Sequence, residues 1–331
     1  MVHIGLLGEI KSGGSRNTFG LVATATPSIL HIGYRLKNQL IPFLYIFPLV
    51  VFFMSVMVYP FVDMMYQGGL PKIDILEAGG AEDIALRSRG WGDLTLQNYL
   101  SVFTDPFLRN TLLLSLGLSV SVSVLSIVLC IGPAWLLVRK DFRGKRMFRA
   151  ILTLPMAFSG VIIGFLAVIM IGRIGFIPQF SRWLVGVPLG EALAYSLTGL
   201  GLAYIWFQIP RATLTLESAI RKFDWDLESA AHSLGASTHQ TFRYVLLPLL
   251  TPAIISTVAV TFAVSMGSFG VALLLLKRAS VMPLEIYNQV YANLAFEMAA
   301  ALSVILGIVT VGVNYALRRL SQKVYAFSTT A

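Results

Sequence analysis

Cysteine is all but missing from the 331 residues: Cys130 stands alone inside an apolar run, so the chain has neither a disulfide framework nor a thiolate metal site. Histidine is scarce too. His3, His31, His232 and His239 all fall outside the apolar runs, which argues against an intramembrane metalloprotease or a serine–histidine protease. Charge is thin, at 12% Asp, Glu, Lys and Arg, and no carboxylate sits deep in an apolar run; Glu217 and Glu297 mark run ends. Intramembrane carboxylates commonly mark proton- or sodium-coupled carriers, so their lack weighs against a stand-alone secondary transporter without eliminating it. Residues 8–15, GEIKSGGS, miss the Lys-Ser/Thr of a phosphate-binding P-loop, and the chain has no Walker A sequence. Residues 1–34 also lack the compact apolar core and small-residue site of a cleavable signal peptide.

What the chain does have is hydrophobic length. At 56% hydrophobic residues and a mean hydropathy of +0.77, it reads as an all-α polytopic membrane protein. Six apolar runs are long enough to cross a bilayer: about 41–61, 110–138, 150–172, 195–216, 252–276 and 298–317. Four segments follow: a cytosolic tail at 1–40, a first membrane helix with an external loop at 41–107, a main membrane domain at 108–320, and a cytosolic tail at 321–331. The stretch 62–107 carries seven acidic residues and closes on an amphipathic piece, LTLQNYLSVFTDP. With both termini on one side, 17 of the 25 Lys and Arg fall on that side and eight on the other. The positive-inside rule then puts both termini and residues 211–243 in the cytosol, and explains the net charge of +9 better than nucleic-acid binding does. The densest basic run, RKDFRGKRMFR at 139–149, reads as an orientation signal set against anionic lipid headgroups.

The longest polar interruption in the C-terminal half, 223–252, predicts two short helices around a tight turn. Asp224 or Asp226 can cap the first helix, in which Trp225, Leu227, Ala230, Ala231 and Leu234 recur at helical spacing. Gly235 stands where a positive φ is needed. Ser237 and Gln240 form a capping box that restarts the chain, and Pro248 and Pro252 punctuate the far end. Gly235, nine residues, then Val245-Leu246-Leu247-Pro248 resembles the signature loop of ABC-importer permeases. Ala230, Ala231 and Gly235 match that pattern; its glutamate position holds Ser229, with Glu228 one residue early.

That resemblance covers about 108–320 and implies a six-helix permease with a cytosolic coupling-helix loop between helices four and five. Asp226, Glu228, Ser229, Ala230, Ala231, Leu234, Gly235 and Pro248 would form the ATPase-coupling segment, with Glu228 or Asp226 giving any acidic contact. Implied partners are a second related permease, two cytosolic ATPase subunits that hold ATP and Mg, and an external solute-binding protein, in a bacterial inner membrane. No cofactor or catalytic group is expected in this chain. Within the family, residues 199–236 and FAVSMGSFGVALLL resemble the polyamine (spermidine/putrescine) branch, which has opine and phosphonate relatives. A direct ATPase contact by residues 139–149 is a further, lesser reading.

Small and polar residues collect in two runs: Phe158, Ser159, Gly160 and Gly164 in the third, and Ser265, Met266, Gly267, Ser268, Phe269 and Gly270 in the fifth. Such residues serve either close helix packing or lining of a solute pathway, and for the fifth run both readings stay open. Gln208 can bond the backbone freed by Pro210.

Overall fold

The computed structural model describes residues 46–70, 94–187, 193, 195–277 and 279–330, with side chains to 323. The expected tail at 1–40, residues 41–45 of the first run, and positions 71–93 of the external loop lie outside the described residues. Helices alone make up the regular structure among the described residues. The chain divides into two units, 1–60 and 61–331. In the first, residues 46–60 are helical and exposed, with a π turn at Met54–Val58. This helix, α1, is Ile46–Gly68, so it takes in the start of the expected external loop.

The larger unit begins its packed body at α2, Gln97–Thr104, the amphipathic piece. Asp105 then caps α3, Pro106–Arg139: its side chain accepts the Phe107 N–H at 2.8 Å, and Pro106 occupies the first turn, where a missing N–H costs nothing. At 34 residues α3 is longer than a bilayer needs. The third run is not one helix. It divides into α4, Lys145–Thr153, a 3-10 turn at Leu154–Ala157, and α5, Gly160–Ile171, capped by Ser159. Pro155 in the 3-10 turn and the extended Phe158 and Ser159 separate the two helices. A break at Gly172–Gly175 leads to α6, Phe176–Val185, which periodicity had not suggested.

The fourth run is α7, Leu197–Arg221, capped by Ser196. It has the length to span a bilayer, about 37 Å at 1.5 Å per residue, but carries Gln208, Pro210, Arg211, Glu217 and Arg221. Among the described residues, five helical stretches are both long and apolar enough to cross a membrane: α1, α3, α5 with α6 (Gly160–Val185), α9 and α12; α7 is not one of them. Of these, Gln208, Pro210 and Glu217 are buried, Arg211 is half-buried and Arg221 is exposed.

After α8, Asp226–Ser233, the chain enters α9, Thr238–Met266. Here Pro248 and Pro252 do not mark a turn; the helix runs through both. Pro248 cannot donate to the carbonyl four residues back, and the ladder shifts instead through a π turn at Phe242–Leu246, where Leu247 N–H bonds Phe242 O. The fifth run is cut short at its other end. It stops at Met266, and residues 270–275 form a separate helix, α10. Two more helices complete the unit: α11, Met282–Tyr291, and α12, Phe296–Thr330, which absorbs the expected C-terminal tail.

Three buried clusters hold this unit together. One joins α3, α5, α7 and α10 around Val122, Ile163, Leu200 and Val271. Another joins α2, α3, α9, α11 and α12 around Val102, Phe262, Met282 and Leu302. The third, with Cys130, Ala134, Leu216, Ile220 and Leu250, packs the ends of α3 and α7 against α9, and Trp225 packs on it.

Candidate functional site

The hairpin of α8 and the start of α9 is built by local rules. Asp224 Oδ1 accepts the Asp226 N–H at 3.0 Å and opens α8. At its end Gly235 takes φ +87°, Ala236 N–H bonds Ala231 O, and Gly235 N–H bonds His232 O, each at 3.0 Å. This is a Schellman motif, which satisfies carbonyls that a helix end otherwise leaves bare. The expected capping box restarts the chain: Ser237 Oγ accepts Gln240 N–H at 3.3 Å, and Gln240 Oε1 accepts Ser237 N–H at 2.8 Å.

The two faces of α8 differ. Leu227, Ala230 and Leu234 lie three and four residues apart on one face, and all are exposed; Leu234 is 89% exposed. Asp226 and Ser229 are exposed as well, and Ala231 is half-buried. Of the two carboxylates expected to offer an outward acidic contact, Glu228 is turned inward and is only 9% exposed. Arg139, the last residue of α3, grips it with Nη1 at 2.6 Å from Oε2 and Nη2 at 2.9 Å from Oε1. The same guanidinium lies 4.6 Å over the Trp225 ring. Trp135, one turn earlier on α3, meets Trp225 and Phe242 edge-on, at 5.6 and 6.1 Å between centroids. A cleft of about 610 Å³ remains between α3 and the hairpin, lined by Ile131, Trp135, Glu228, His239, Phe242 and Leu246 among others.

A second buried carboxylate, Glu217 on α7, receives Arg149 of α4 and, at 2.7 Å, Arg221 one turn on. The basic run 139–149 therefore supplies an ion pair from its first residue and another from its last. Between them, Lys145 bonds the exposed Asp141 at 2.7 Å, and that hydrogen bond, with the ammonium charge, holds the Asp141 carboxyl below its ordinary range. Neither Arg139–Glu228 nor Arg149–Glu217 was foreseen from sequence. A signal existed: six basic residues with one acid among them at 139–149, and Glu217, Asp224, Asp226 and Glu228 in the next polar segment.

The small and polar residues of the third and fifth runs meet at the break between α9 and α10. Ser265 and Met266 are buried, whereas Phe158, Ser268 and Phe269 are half-buried and Ser159 is exposed. Ser265 Oγ and Thr261 O both accept Gln208 Nε2, at 2.8 Å, so Gln208 bridges α7 to α9 and leaves its own proline-broken backbone aside. Tyr204 OH donates to Ser268 O in the break. Gly160 and Gly164 face α10: a Cβ on Gly164 would stand 3.3 Å from Gly270 O. Among the described residues no group of three His, Cys, Asp or Glu could hold a metal ion.

The family model described as "Binding-protein-dependent transport system inner membrane component" matches residues 126–325. The molybdenum transport system permease protein ModB of Haemophilus influenzae is 30% identical over 217 residues, 63% of this chain and 93% of that protein. ModB of Escherichia coli K12 is 35% identical over 170 residues, 51% of this chain and 72% of that protein. A probable sulfate transport system permease of Chlorokybus atmophyticus is 31% identical over 187 residues, 56% and 63% of the two chains. In fold, the chain resembles a chain of a bacterial alginate ABC transporter crystallised with its pentasaccharide-bound periplasmic protein, with a TM-score of 0.71 at 16% identity, covering 88% and 97% of the two chains. The MetNI methionine ABC transporter gives a TM-score of 0.52 at 18% identity, covering 66% and 96%. With the matched segment spanning the clamped hairpin and the helices on either side of it, this chain belongs to the family of inner membrane components of binding-protein-dependent transport systems.

Proposed function

We propose that this chain is the membrane-spanning permease subunit of an ATP-driven importer, with the α8–α9 hairpin as its docking element for a cytosolic ATPase. The observation that carries the reading is the bare ridge of Leu227, Ala230 and Leu234 on a turn that is otherwise fully capped. Three exposed apolar side chains contiguous on one face of a capped turn form the kind of patch that marks a protein contact. Asp226, Ser229 and Ala231 flank that ridge, while Gly235 and Pro248 set the shape behind it. The hairpin and both termini lie in the cytosol of a bacterial inner membrane, and α7 acts as the fourth of six spans, shielded from lipid by its neighbours. A second permease, two ATPase subunits carrying ATP and Mg, and an external solute-binding protein complete the assembly. The solute passes near the α9–α10 break, past Phe158, Ser159, Ser265, Met266, Ser268 and Phe269.

For the solute we infer a small oxyanion of the molybdate or sulfate class. The relatives named above carry molybdenum or sulfate in their names, none a polyamine, so the sequence-based polyamine expectation has lost its support. The chemistry agrees. Helices α3, α5, α9 and α10 contain no Asp or Glu, which suits an anion better than a polycation. Hydroxyls such as that of the exposed Ser159 are neutral donors of the kind an oxyanion accepts from. The test is uptake by the purified complex with its binding protein in vesicles. Molybdate or sulfate uptake that requires internal-face ATP is expected; uptake of spermidine, putrescine or an organophosphonate in place of either oxyanion overturns the solute assignment. A chain that moves solute along an ion gradient, with no ATPase copurifying, is a secondary transporter and overturns the whole reading.

A further inference from the structure

We propose that Arg139 and Glu228 are positioning residues that make the docking hairpin and α3 one mechanical body, so that hairpin displacement is handed to α3 as well as to α9. This rests on the reading of the hairpin as the ATPase-docking element. The hairpin continues into α9 without a break, through the π turn and Pro248, and α9 alone is therefore an obvious lever. The route to α3 is different in kind, because it runs across 89 residues of sequence through side chains only.

Three contacts define it. Both Arg139 nitrogens reach both Glu228 oxygens, at 2.6 and 2.9 Å, a two-point grip that resists rotation as well as separation. The Trp225 ring also meets the guanidinium, with Cζ 4.6 Å from the ring centroid. Trp135 touches Trp225 from one limb of the hairpin and Phe242 from the other, so the last turns of α3 contact both limbs at once. An exposed ion pair would transmit little. This one is half-sheltered: Glu228 is buried, Arg139 is partly exposed, and among the described residues Arg139 and His232, with Nε2 3.8 Å from Oε1, are its ion-pair partners. Removing Arg139 leaves the nearly buried Glu228 without its guanidinium, whereas Arg139, with 39% of its side chain exposed, can turn to water once Glu228 is gone. The helix that receives the motion is also the one with the widest reach: α3 packs against α7 and α9 along its buried serine-bearing face and contributes to all three clusters.

The experiment measures three quantities on the reconstituted complex with its binding protein: ATPase copurification, ATP hydrolysis and solute uptake. Glu228→Gln and Arg139→Gln are expected to retain the ATPase, because neither residue lies on the exposed ridge, and to lose uptake about tenfold relative to ATP hydrolysed. The exchange Arg139→Glu with Glu228→Arg should recover most of the loss, which a general packing defect would not do. Arg139→Lys keeps the charge but not the two-point grip, and should fall between; it also serves if the glutamine variants fail to accumulate. Wild-type coupling in both glutamine variants overturns the inference. So does selective loss of ATPase copurification in Glu228→Gln with Arg139→Gln unaffected, since Glu228 would then be a partner contact. Failure of the wild-type chain to bring down any ATPase overturns the docking reading instead.

Discussion

The two ends of α9 are held by opposite means. At its start the chain turns on a glycine of positive φ and a capping box, and the turn is clamped by charge: Arg139 on Glu228, with Arg149 and Arg221 on Glu217 beside it. At its end no ion pair is found among the described residues. Gln208 bonds Ser265 and Thr261, Tyr204 bonds Ser268 O, and Gly270 lies against the backbone of Gly160 and Val161. Buried ions are tolerable where water reaches their edges, and costly where it does not, so neutral donors and bare backbone take over deeper in the helix bundle. The difference teaches that one end is a joint whose contacts can be re-formed in water, and the other a seat fixed by shape.

The comparison stands or falls first on topology, since the proposed docking joint must face the cytosol. Reporters fused near residues 145, 232 and 325 should be cytosolic, and one after residue 85 external. An external reporter at 232 would remove the water-facing partner from the charged end and with it the meaning of the contrast.

The next largest effect belongs to the shape-fixed end. A Cβ on Gly270 would stand 2.7 Å from Val161 N and 3.0 Å from Gly160 C, backbone atoms that cannot swing away as a side-chain tip can. Gly270→Leu should therefore separate α10 from α5, at a cost of about 3 kcal/mol. The expected outcome is a several-fold drop in folded protein extracted from membranes, with a lower unfolding midpoint for what remains. Normal yield and midpoint would mean that α10 is free to shift, and that this end is no seat.

Opposite behaviour is expected at the charged end. Leu234→Asp alters a side chain with almost no contacts in the folded chain, so yield and melting should stay near wild type. ATPase affinity should fall by about 2 kcal/mol, roughly 30-fold, if the ridge is the anchor of the docking surface. Copurification at a series of salt concentrations measures it. A variant that binds as tightly as wild type would shift docking to Asp226 and Ser229.

The same contrast explains what could be read from sequence. The hairpin was legible nearly residue by residue, because Gly235, Ser237 and Gln240 act through bonds to neighbours within five residues. The family resemblance rested on the same short stretch. What escaped notice acts across long separations: Arg139 with Glu228 is 89 residues apart, Arg149 with Glu217 is 68, and Gln208 with Ser265 is 57. Apolar length located the helices but not their interruptions. The break after Met266 has no proline to announce it, while Pro248 and Pro252, which do announce breaks elsewhere, are carried by a π turn and a continuous helix. Pattern reading weighs each residue alone; the helix ladder can shift one bond and continue.

The smallest expected effect isolates backbone strain from steric conflict, by setting Gly235 against Gly270. At Gly235 no atom lies within 4 Å of where a Cβ would stand. Only the φ of +87° is left to resist substitution. For a residue with a branched β-carbon this costs about 1–2 kcal/mol, and asparagine, which visits the left-handed region more readily, pays less. Gly235→Val should accumulate in the membrane at near-normal levels, since the cost falls on a water-facing turn and leaves every buried cluster untouched. Relief of the strain requires the turn to open, which rotates the Leu227–Leu234 ridge relative to α9. Binding-protein-stimulated ATP hydrolysis and uptake should then fall together, several-fold for valine and less for asparagine. Equal activity for valine, asparagine and glycine in reconstituted vesicles would show that the ridge docks without a fixed angle to α9, leaving the Arg139–Glu228 clamp and the Trp135 contacts to hold it.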